Sequence, residues 1–132
     1  MTVQQAMETS KLWRCAYWYP SNKRVGEDVS EYRMKSYEDG DTLVLESLPT
    51  EDGSYMLVRL TIEDDIAIGT WHETTSPTGD FKGAQYSGSG QLLVDPKTYY
   101  MEGKWAGAGF DHKLQKMRVY NGNWVIEPVS ED

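Results

Sequence analysis

Three Gly-x-Trp steps recur in the second half of the chain. They are Gly69-Thr70-Trp71, Gly103-Lys104-Trp105 and Gly122-Asn123-Trp124. Residues two apart on a β-strand point to the same face, so each step sets a bare backbone patch beside a large ring. Glycine weakens a strand interior unless something packs over it, and an indole laid across the gap supplies that packing in curved sheets. The steps therefore predict a strongly bent, closed antiparallel sheet with indoles lining its interior.

Strand and turn signals follow one another along nearly the whole chain. The polar segment Thr2 to Ser10 predicts one or two helical turns before the first strand. The predicted strands are Leu12 to Tyr19, Val29 to Ser36, Thr42 to Leu48, Tyr55 to Ile62, Ile66 to Thr75, Phe81 to Val94, Tyr99 to Gly107 and Met117 to Pro128. We expect a bend at Gly88-Ser89-Gly90 and a bulge at Asn121-Gly122.

The strands recur at the interval typical of a barrel or sandwich, and their connections are short and rich in turn formers. This favours an all-β fold, a single antiparallel up-and-down β-barrel of about eight strands. A β-sandwich is the main competing fold. We assign residues 1–10 to an N-terminal extension and residues 11–129 to the barrel, so that residues 1–132 form a single domain.

Composition excludes several classes of function. A formal net charge of −8 argues against a nucleic-acid partner, which normally requires a basic patch. The single cysteine, Cys15, excludes an intramolecular disulfide and suits a reducing compartment. No apolar run has the length of a signal peptide or a membrane span. The expectation is a soluble cytoplasmic protein without a membrane partner.

Strand parity predicts which side chains face the interior. On the seventh predicted strand the face that carries Trp105 is apolar, whereas the face that carries Lys104 is polar. By analogy Trp71 points inward, and Glu73 then points inward with it, whereas His72 points outward. A buried carboxylate needs a partner, and the candidates are Arg14, Arg33, Arg59 and Arg118. The alternative is that Glu73 is solvated at the barrel rim. On the first strand both parities remain open.

The remaining chemical signals are weak. His72 and Glu73 are adjacent on a strand and point to opposite faces, so they do not form an acid–base dyad. His112 follows Gly107-Ala108-Gly109 in a predicted loop, where an exposed histidine is ordinary. Two histidines and one cysteine are too few for a zinc site, and Cys15 is best interpreted as buried filler. The glycine-rich runs are predicted to be bends, and neither a metal nor a cofactor is expected.

Several segments resemble a small domain of bacterial proteins. These segments are Gly69 to Gly79, Lys82 to Tyr86, Gln91 to Asp95, Gly103 to Gly109 and Asn121 to Trp124. In actinobacterial examples this domain often follows an N-terminal helix-turn-helix of the XRE type. The similarity covers roughly Asp41 to Val129. Since this chain has no helix-turn-helix, the resemblance implies a sensor-like barrel that stands alone, without DNA binding.

The tandem Gly-x-Trp strands are also similar to the calycin superfamily of lipocalins, fatty-acid-binding proteins and avidins. That similarity implies a calycin-like barrel. A lipocalin carries its Gly-x-Trp on the first strand, whereas the first strand here has Trp13 and Trp18 without glycine.

The leading functional hypothesis is a binding module that takes a small apolar or aromatic ligand inside the barrel, in a sensory or carrier role. The predicted ligand-binding residues are Trp71, Glu73, Tyr86, Trp105, Trp124, Met101 and Arg59, with Gln85 as a further polar candidate.

Two other classes of function stay open. One is a small barrel enzyme of isomerase or hydrolase type that uses Glu73 or His72 as acid–base, and this is the less favoured reading. The other is an interaction scaffold with a filled core, which pairs through an outer sheet face with a partner or with itself as a homodimer. The interior volume of the barrel discriminates between these hypotheses.

Overall fold

The computed structural model describes residues 2–21, 25–78, 83–111 and 113–130. Its elements are α1 (Val3–Thr9), β1 (Leu12–Pro20), β2 (Glu27–Asp39), β3 (Thr42–Ser47), β4 (Tyr55–Glu63), β5 (Ile66–Thr74), β6 (Gln85–Val94), β7 (Met101–Asp111) and β8 (Lys116–Pro128). Each strand pairs antiparallel with the next, and β8 pairs with β1, so the sheet closes into a barrel. The predicted fold, an all-β up-and-down barrel with a short N-terminal helical segment, is confirmed.

Helix α1 begins with a capping box. The hydroxyl of Thr2 accepts a hydrogen bond from the Gln5 backbone N–H at 3.1 Å, and the Gln5 side-chain oxygen accepts one from the Thr2 N–H at 2.9 Å. These two bonds satisfy backbone donors that a helix start otherwise leaves unpaired. Val3 and Ala6 then place the apolar side of the helix in the core of the barrel.

Two details of the strands differ from the sequence expectation. Strand β7 begins at Met101 because Tyr99 adopts a φ of 61° in the preceding turn. It continues past Gly107 to Asp111, and its register with β8 is continuous, so the Gly107-Ala108-Gly109 run is strand rather than bend. The same continuous register shows that no bulge exists at Asn121-Gly122.

The start of β6 also differs. The predicted strand begins at Phe81, but residues 79–82 lie outside the described residues and β6 begins at Gln85. Gly83, at a φ of 75°, lies in the turn before it. The segment Gly88-Ser89-Gly90 pairs without interruption with both β5 and β7.

The indoles cover glycines of other strands, one or two places away in the sheet, rather than the glycines of their own Gly-x-Trp steps. The contacts are Trp71 with Gly88 and Gly107, Trp124 with Gly90, and Trp105 with Gly122. A Cβ atom added to Gly88 would lie 2.5 Å from Cζ2 of Trp71. The glycines therefore create the space that the rings occupy, and the rings restore packing to the bare strands.

The interior is filled at one end and open at the other. The largest fully buried side chains include Trp13, Met34, Leu43, Leu45, Leu60, Leu92, Met101 and Ile126. They form the core at the end of the barrel where β1 begins, together with the buried residues of α1. No helix in the described ranges has both the length and the apolar character needed to cross a membrane.

Candidate functional site

The opposite end of the barrel opens into a cavity of about 690 Å³. This lies within the usual range of small-molecule sites, about 300–1,000 Å³. Its lining includes nine aromatic side chains: Tyr17, Tyr19, Tyr32, Trp71, Tyr86, Trp105, Phe110, Tyr120 and Trp124. The cavity combines a wide aromatic wall with a few polar groups, which is the composition expected of a ligand site.

A buried carboxylate lies in this cavity. Glu73 is 6% exposed and accepts hydrogen bonds from two phenols. Tyr17 Oη lies 2.7 Å from each carboxylate oxygen, and Tyr32 Oη lies 2.6 Å from Oε2. Hydrogen bonds of this length to an ionised acceptor are among the strong ones and offset part of the desolvation cost of the charge. We call Glu73, Tyr17 and Tyr32 the carboxylate triad.

The strand order explains how the triad assembles. Glu73 is on β5, where it shares an inward face with Trp71 and pairs in register with Met56 and Tyr86. Tyr17 and Tyr32 come from β1 and β2, on a distant part of the closed sheet. Closure of the barrel brings these positions together across the interior.

The phenols of the triad stay protonated in the folded protein. Burial raises the pKa of Tyr17 far above its usual value, and the negative charge of Glu73 raises it further. Burial also raises the pKa of Tyr32, and its hydrogen bond to Glu73 adds to the increase. Burial and the Glu73 charge raise the pKa of Tyr86 in the same direction. Tyr17 and Tyr32 therefore act as neutral hydrogen-bond donors to Glu73 over the physiological pH range.

The aromatic wall is built from edge-to-face contacts. The rings of Trp71 and Trp105 are 5.7 Å apart at 89°, and those of Tyr17 and Trp105 are 5.9 Å apart at 81°. Trp105 Nε1 donates to the carbonyl of Trp18 at 2.9 Å, and Trp71 Nε1 donates to the carbonyl of Ser89 at 3.3 Å. Because the backbone accepts both indole N–H groups, these rings offer carbon surface to the cavity.

Charged side chains surround the mouth. Arg118 pairs with Asp111 at 3.1 Å, and its guanidinium carbon lies 4.9 Å from the centre of the Tyr120 ring. The backbone N–H of Leu114 and then the Arg118 guanidinium hold the pKa of Asp111 below its usual value. Asp52 and Lys113 also line the cavity. Arg118, one of the two bases among the described lining residues, is thus already paired with a carboxylate.

Cys15 belongs to the core below the cavity. It is fully buried, and Trp124 Nε1 donates to its sulfur at 3.3 Å. Burial raises the pKa of the thiol to about 12, so the nucleophilic thiolate is scarce at neutral pH. This environment agrees with the interpretation of Cys15 as inert filler.

Five of the predicted ligand-binding residues line the cavity: Trp71, Glu73, Tyr86, Trp105 and Trp124. Met101 has the predicted inward orientation but is fully buried in the filled end. Arg59 lies on the outer face, where it pairs with Asp39 at 2.5 Å. Gln85 is exposed outside the cavity lining. Met101, Arg59 and Gln85 therefore do not join the candidate site.

The partner of Glu73 also differs from the expectation of an arginine. Arg14 pairs with Glu31 and Glu127, and Arg33 is exposed. Within the described ranges no arginine or lysine forms an ion pair with Glu73. Arg14, Arg33 and Arg59 lie on the outward parities of their strands, and Arg118 lines the cavity but pairs with Asp111, whereas Tyr17 and Tyr32 have the inward parity. The alternative of a carboxylate solvated at the rim is wrong, since Glu73 is buried.

His72 is not part of the cavity lining. His72 points outward, with Nδ1 2.7 Å from the hydroxyl of Ser87. This confirms that His72 and Glu73 do not form a dyad. His112 lies outside the described residues. In the portions of the chain that the structure describes, no group of three His, Cys, Asp or Glu side chains could hold a metal ion.

Comparison with protein-family models, with curated proteins and with solved structures finds no match for this chain. The class that the geometry defines is a closed eight-stranded up-and-down barrel with an aromatic cavity and a buried carboxylate. Since one fold hosts many functions, function is inferred from the residues of the cavity.

Proposed function

We propose that the protein binds a small, partly apolar ligand inside the open end of the barrel, in a sensory or carrier role. The observation that carries this proposal is the cavity of about 690 Å³ with its aromatic wall and the carboxylate triad. Apolar area supplies affinity in such sites, and a few placed polar groups fix the orientation of the ligand. Trp71 and Trp105 provide the apolar area, and Glu73 provides the polar group that orients the ligand.

The closed eight-stranded meander and its Gly-x-Trp steps support a calycin-like assignment for the barrel. Similarity to the bacterial domain found behind XRE-type helix-turn-helix segments favours a sensory role over a storage role. Cys15, the single cysteine of the chain, is a free thiol rather than part of a disulfide, which favours a reducing compartment such as the bacterial cytoplasm.

A second candidate function is a barrel enzyme with Glu73 as its acid–base. The observation that favours it is a buried carboxylate, hydrogen-bonded by two phenols, in contact with a cavity. Such environments are typical of functional carboxylates. His72 does not contribute to this chemistry because it points to the outer face. The third hypothesis, a scaffold with a filled core, is disfavoured by the volume of the cavity.

The test is a screen of metabolites and lipids that records tryptophan fluorescence and melting temperature. Three of the indoles line the cavity, so a bound ligand changes their emission and raises the melting temperature. A Trp18→Phe variant should keep the fluorescence response because Trp18 is absent from the lining, whereas Trp71→Phe should reduce it. A library that leaves both readouts unchanged would contradict the proposal.

A variant that fills the cavity locates the binding. A Cβ atom added to Gly109 would lie 3.3 Å from the Tyr120 ring, so this inward position tolerates a side chain better than Gly88 does. Gly109→Leu places that side chain in the cavity and should weaken any hit by at least about tenfold. Val119→Leu, at a 67% exposed position, is the matched control and should bind normally. Equal affinity in both variants would show that the compound binds elsewhere.

A further inference from the structure

The carboxylate triad has no positive partner among the described residues. Its two donors, Tyr17 and Tyr32, are neutral phenols, and Arg118, which lines the same cavity, pairs with Asp111 instead. A buried carboxylate gains most from a countercharge, because the low local dielectric strengthens the attraction. The described part of the site thus lacks a countercharge, the component that most stabilises a buried anion.

The carboxylate also keeps acceptor capacity toward the cavity. An ionised carboxylate offers about four lone-pair sites. Tyr17 contacts both oxygens of Glu73 and Tyr32 contacts Oε2, so Oε1 receives one of the three contacts. Since Glu73 lines the cavity, a ligand N–H donor can reach it there. The phenols hold the carboxylate in place, which reduces the cost of orienting it on binding.

The surrounding surface favours positive charge as well. Aromatic rings attract cations through the negative potential of their faces, and tryptophan does so most strongly. Trp71, Trp105 and Trp124 line the same cavity as Glu73. Among the residues that the structure describes, the charged groups that line the cavity are the acids Asp52, Glu73 and Asp111 and the bases Lys113 and Arg118. This excess of acid among the described lining residues, in a chain of net charge −8, favours cations over anions.

We propose that the ligand is a small organic cation, an ammonium or amidinium group on a flat apolar body, whose charged end binds Glu73 and whose body packs among Trp71 and Trp105. This inference rests on the proposed binding function and specifies the class of ligand. A neutral or anionic apolar ligand forgoes the countercharge at Glu73, and an anion is repelled by it.

The test is a matched set of compounds that share a body and a two-carbon linker and carry a positive, neutral or negative end group. Phenyl, naphthyl and indolyl bodies are each prepared as the ethylammonium, the ethanol and the propionate, and titrated calorimetrically against the full chain. We expect the best ammonium compound to bind at least about tenfold more tightly than its alcohol, with the propionate weakest. An alcohol or a propionate that binds as tightly as its ammonium counterpart overturns the inference.

Glu73→Gln removes the charge and keeps an acceptor oxygen. In this variant the advantage of the ammonium over the alcohol should fall to within about twofold. Glu46→Gln is the matched control, because Glu46 is also hydrogen-bonded by a tyrosine, at 2.7 Å, but lies on the outer face. It should keep the full advantage. An advantage that survives in Glu73→Gln overturns the inference.

A neutral fluorescent probe, Nile red, separates the two proposals. If it binds the wild type and is lost in Gly109→Leu, while no ammonium compound binds below about 1 mM, the cavity site stands and the cation inference fails. If neither Nile red nor any of the matched compounds binds, the proposed function fails with it.

Discussion

The phenol of Tyr32 donates a 2.6 Å hydrogen bond to Oε2 of Glu73 across the interior of the barrel. The two residues are 41 positions apart and lie on strands that are not neighbours in the sheet. This bond ties β2 to β5 and keeps an acidic group fixed in an aromatic cavity. Its strength is the first quantity to measure.

Tyr32→Phe removes one donor from a buried carboxylate. Hydrogen bonds to charged groups contribute about 1.5–3 kcal/mol, so we expect a loss of that size in the free energy of unfolding. Tyr55→Phe is the matched control, since Tyr55 donates to Glu46 at 2.7 Å on the outer face. On that face water can replace the lost hydrogen bond, so we expect the free energy of unfolding to fall by less than about 1 kcal/mol. Chemical denaturation measures both, and equal losses would show that burial adds nothing to the triad.

Gly88→Ala should be strongly destabilising. An added Cβ would lie 2.5 Å from Trp71 and 2.1 Å from the carbonyl oxygen of Ala106. Because that oxygen belongs to the backbone of a paired strand, it cannot move far enough to relieve the clash. We expect a loss of about 3 kcal/mol, at the upper end for overpacking. Gly109→Ala, with its nearest contact at 3.3 Å, should cost below about 1 kcal/mol. Thermal or denaturant unfolding compares the two, and the reverse order would refute the indole–glycine packing.

Alkaline pH should weaken the fold through Cys15. The thiol has a pKa of about 12 in the folded protein against an ordinary value of 9.0, so between these values the folded state keeps a proton that the unfolded state has released. The free energy of unfolding therefore falls as pH rises from 9.0 toward 12, by up to about 1.4 kcal/mol per pH unit for this group.

The Cys15→Ala variant isolates this contribution. Its free energy of unfolding should decline less steeply between about pH 9 and about pH 10, below the range where the buried tyrosines add their own share. Denaturant titrations at several pH values provide the comparison. Parallel curves for the variant and the wild type would mean that the thiol titrates normally.

Iodoacetamide should modify Cys15 only through unfolding. The side chain is fully buried and its thiolate is scarce, so alkylation of the native protein should be at least about 1,000-fold slower than that of an exposed thiol. Val119→Cys in a Cys15→Ala background provides that exposed thiol. Mass spectrometry follows both reactions, and comparable rates would place Cys15 in contact with solvent.

The barrel and half of its site could be predicted from local pattern. The polarity difference between Trp105 and Lys104 determines which face of β7 is inside, and the two-residue step from Trp71 to Glu73 places the carboxylate inside as well. Turn formers at short intervals predict the meander. Such signals depend only on near neighbours in the chain, which is why sequence alone suffices.

The partners of Glu73 depend on contacts that local pattern does not contain. Both faces of β1 carry apolar or aromatic residues, so alternation there does not reveal that Tyr17 points inward and Trp18 does not. Tyr32 lies on a clearly alternating strand, but its meeting with Glu73 requires the closure of the barrel. The sequence also does not predict that β7 continues to Asp111, because Gly107 and Gly109 carry no side chains whose polarity could mark a strand.

The most direct test of an interior ligand site is an NMR titration of the five tryptophan indole N–H signals, each assigned by a Trp→Phe variant. The titrant is the tightest-binding compound of the matched set. We predict saturable shifts for Trp71, Trp105 and Trp124, which line the cavity, and small changes for Trp13 and Trp18, which do not. Saturable shifts confined to Trp13 and Trp18 would contradict a ligand site inside the barrel.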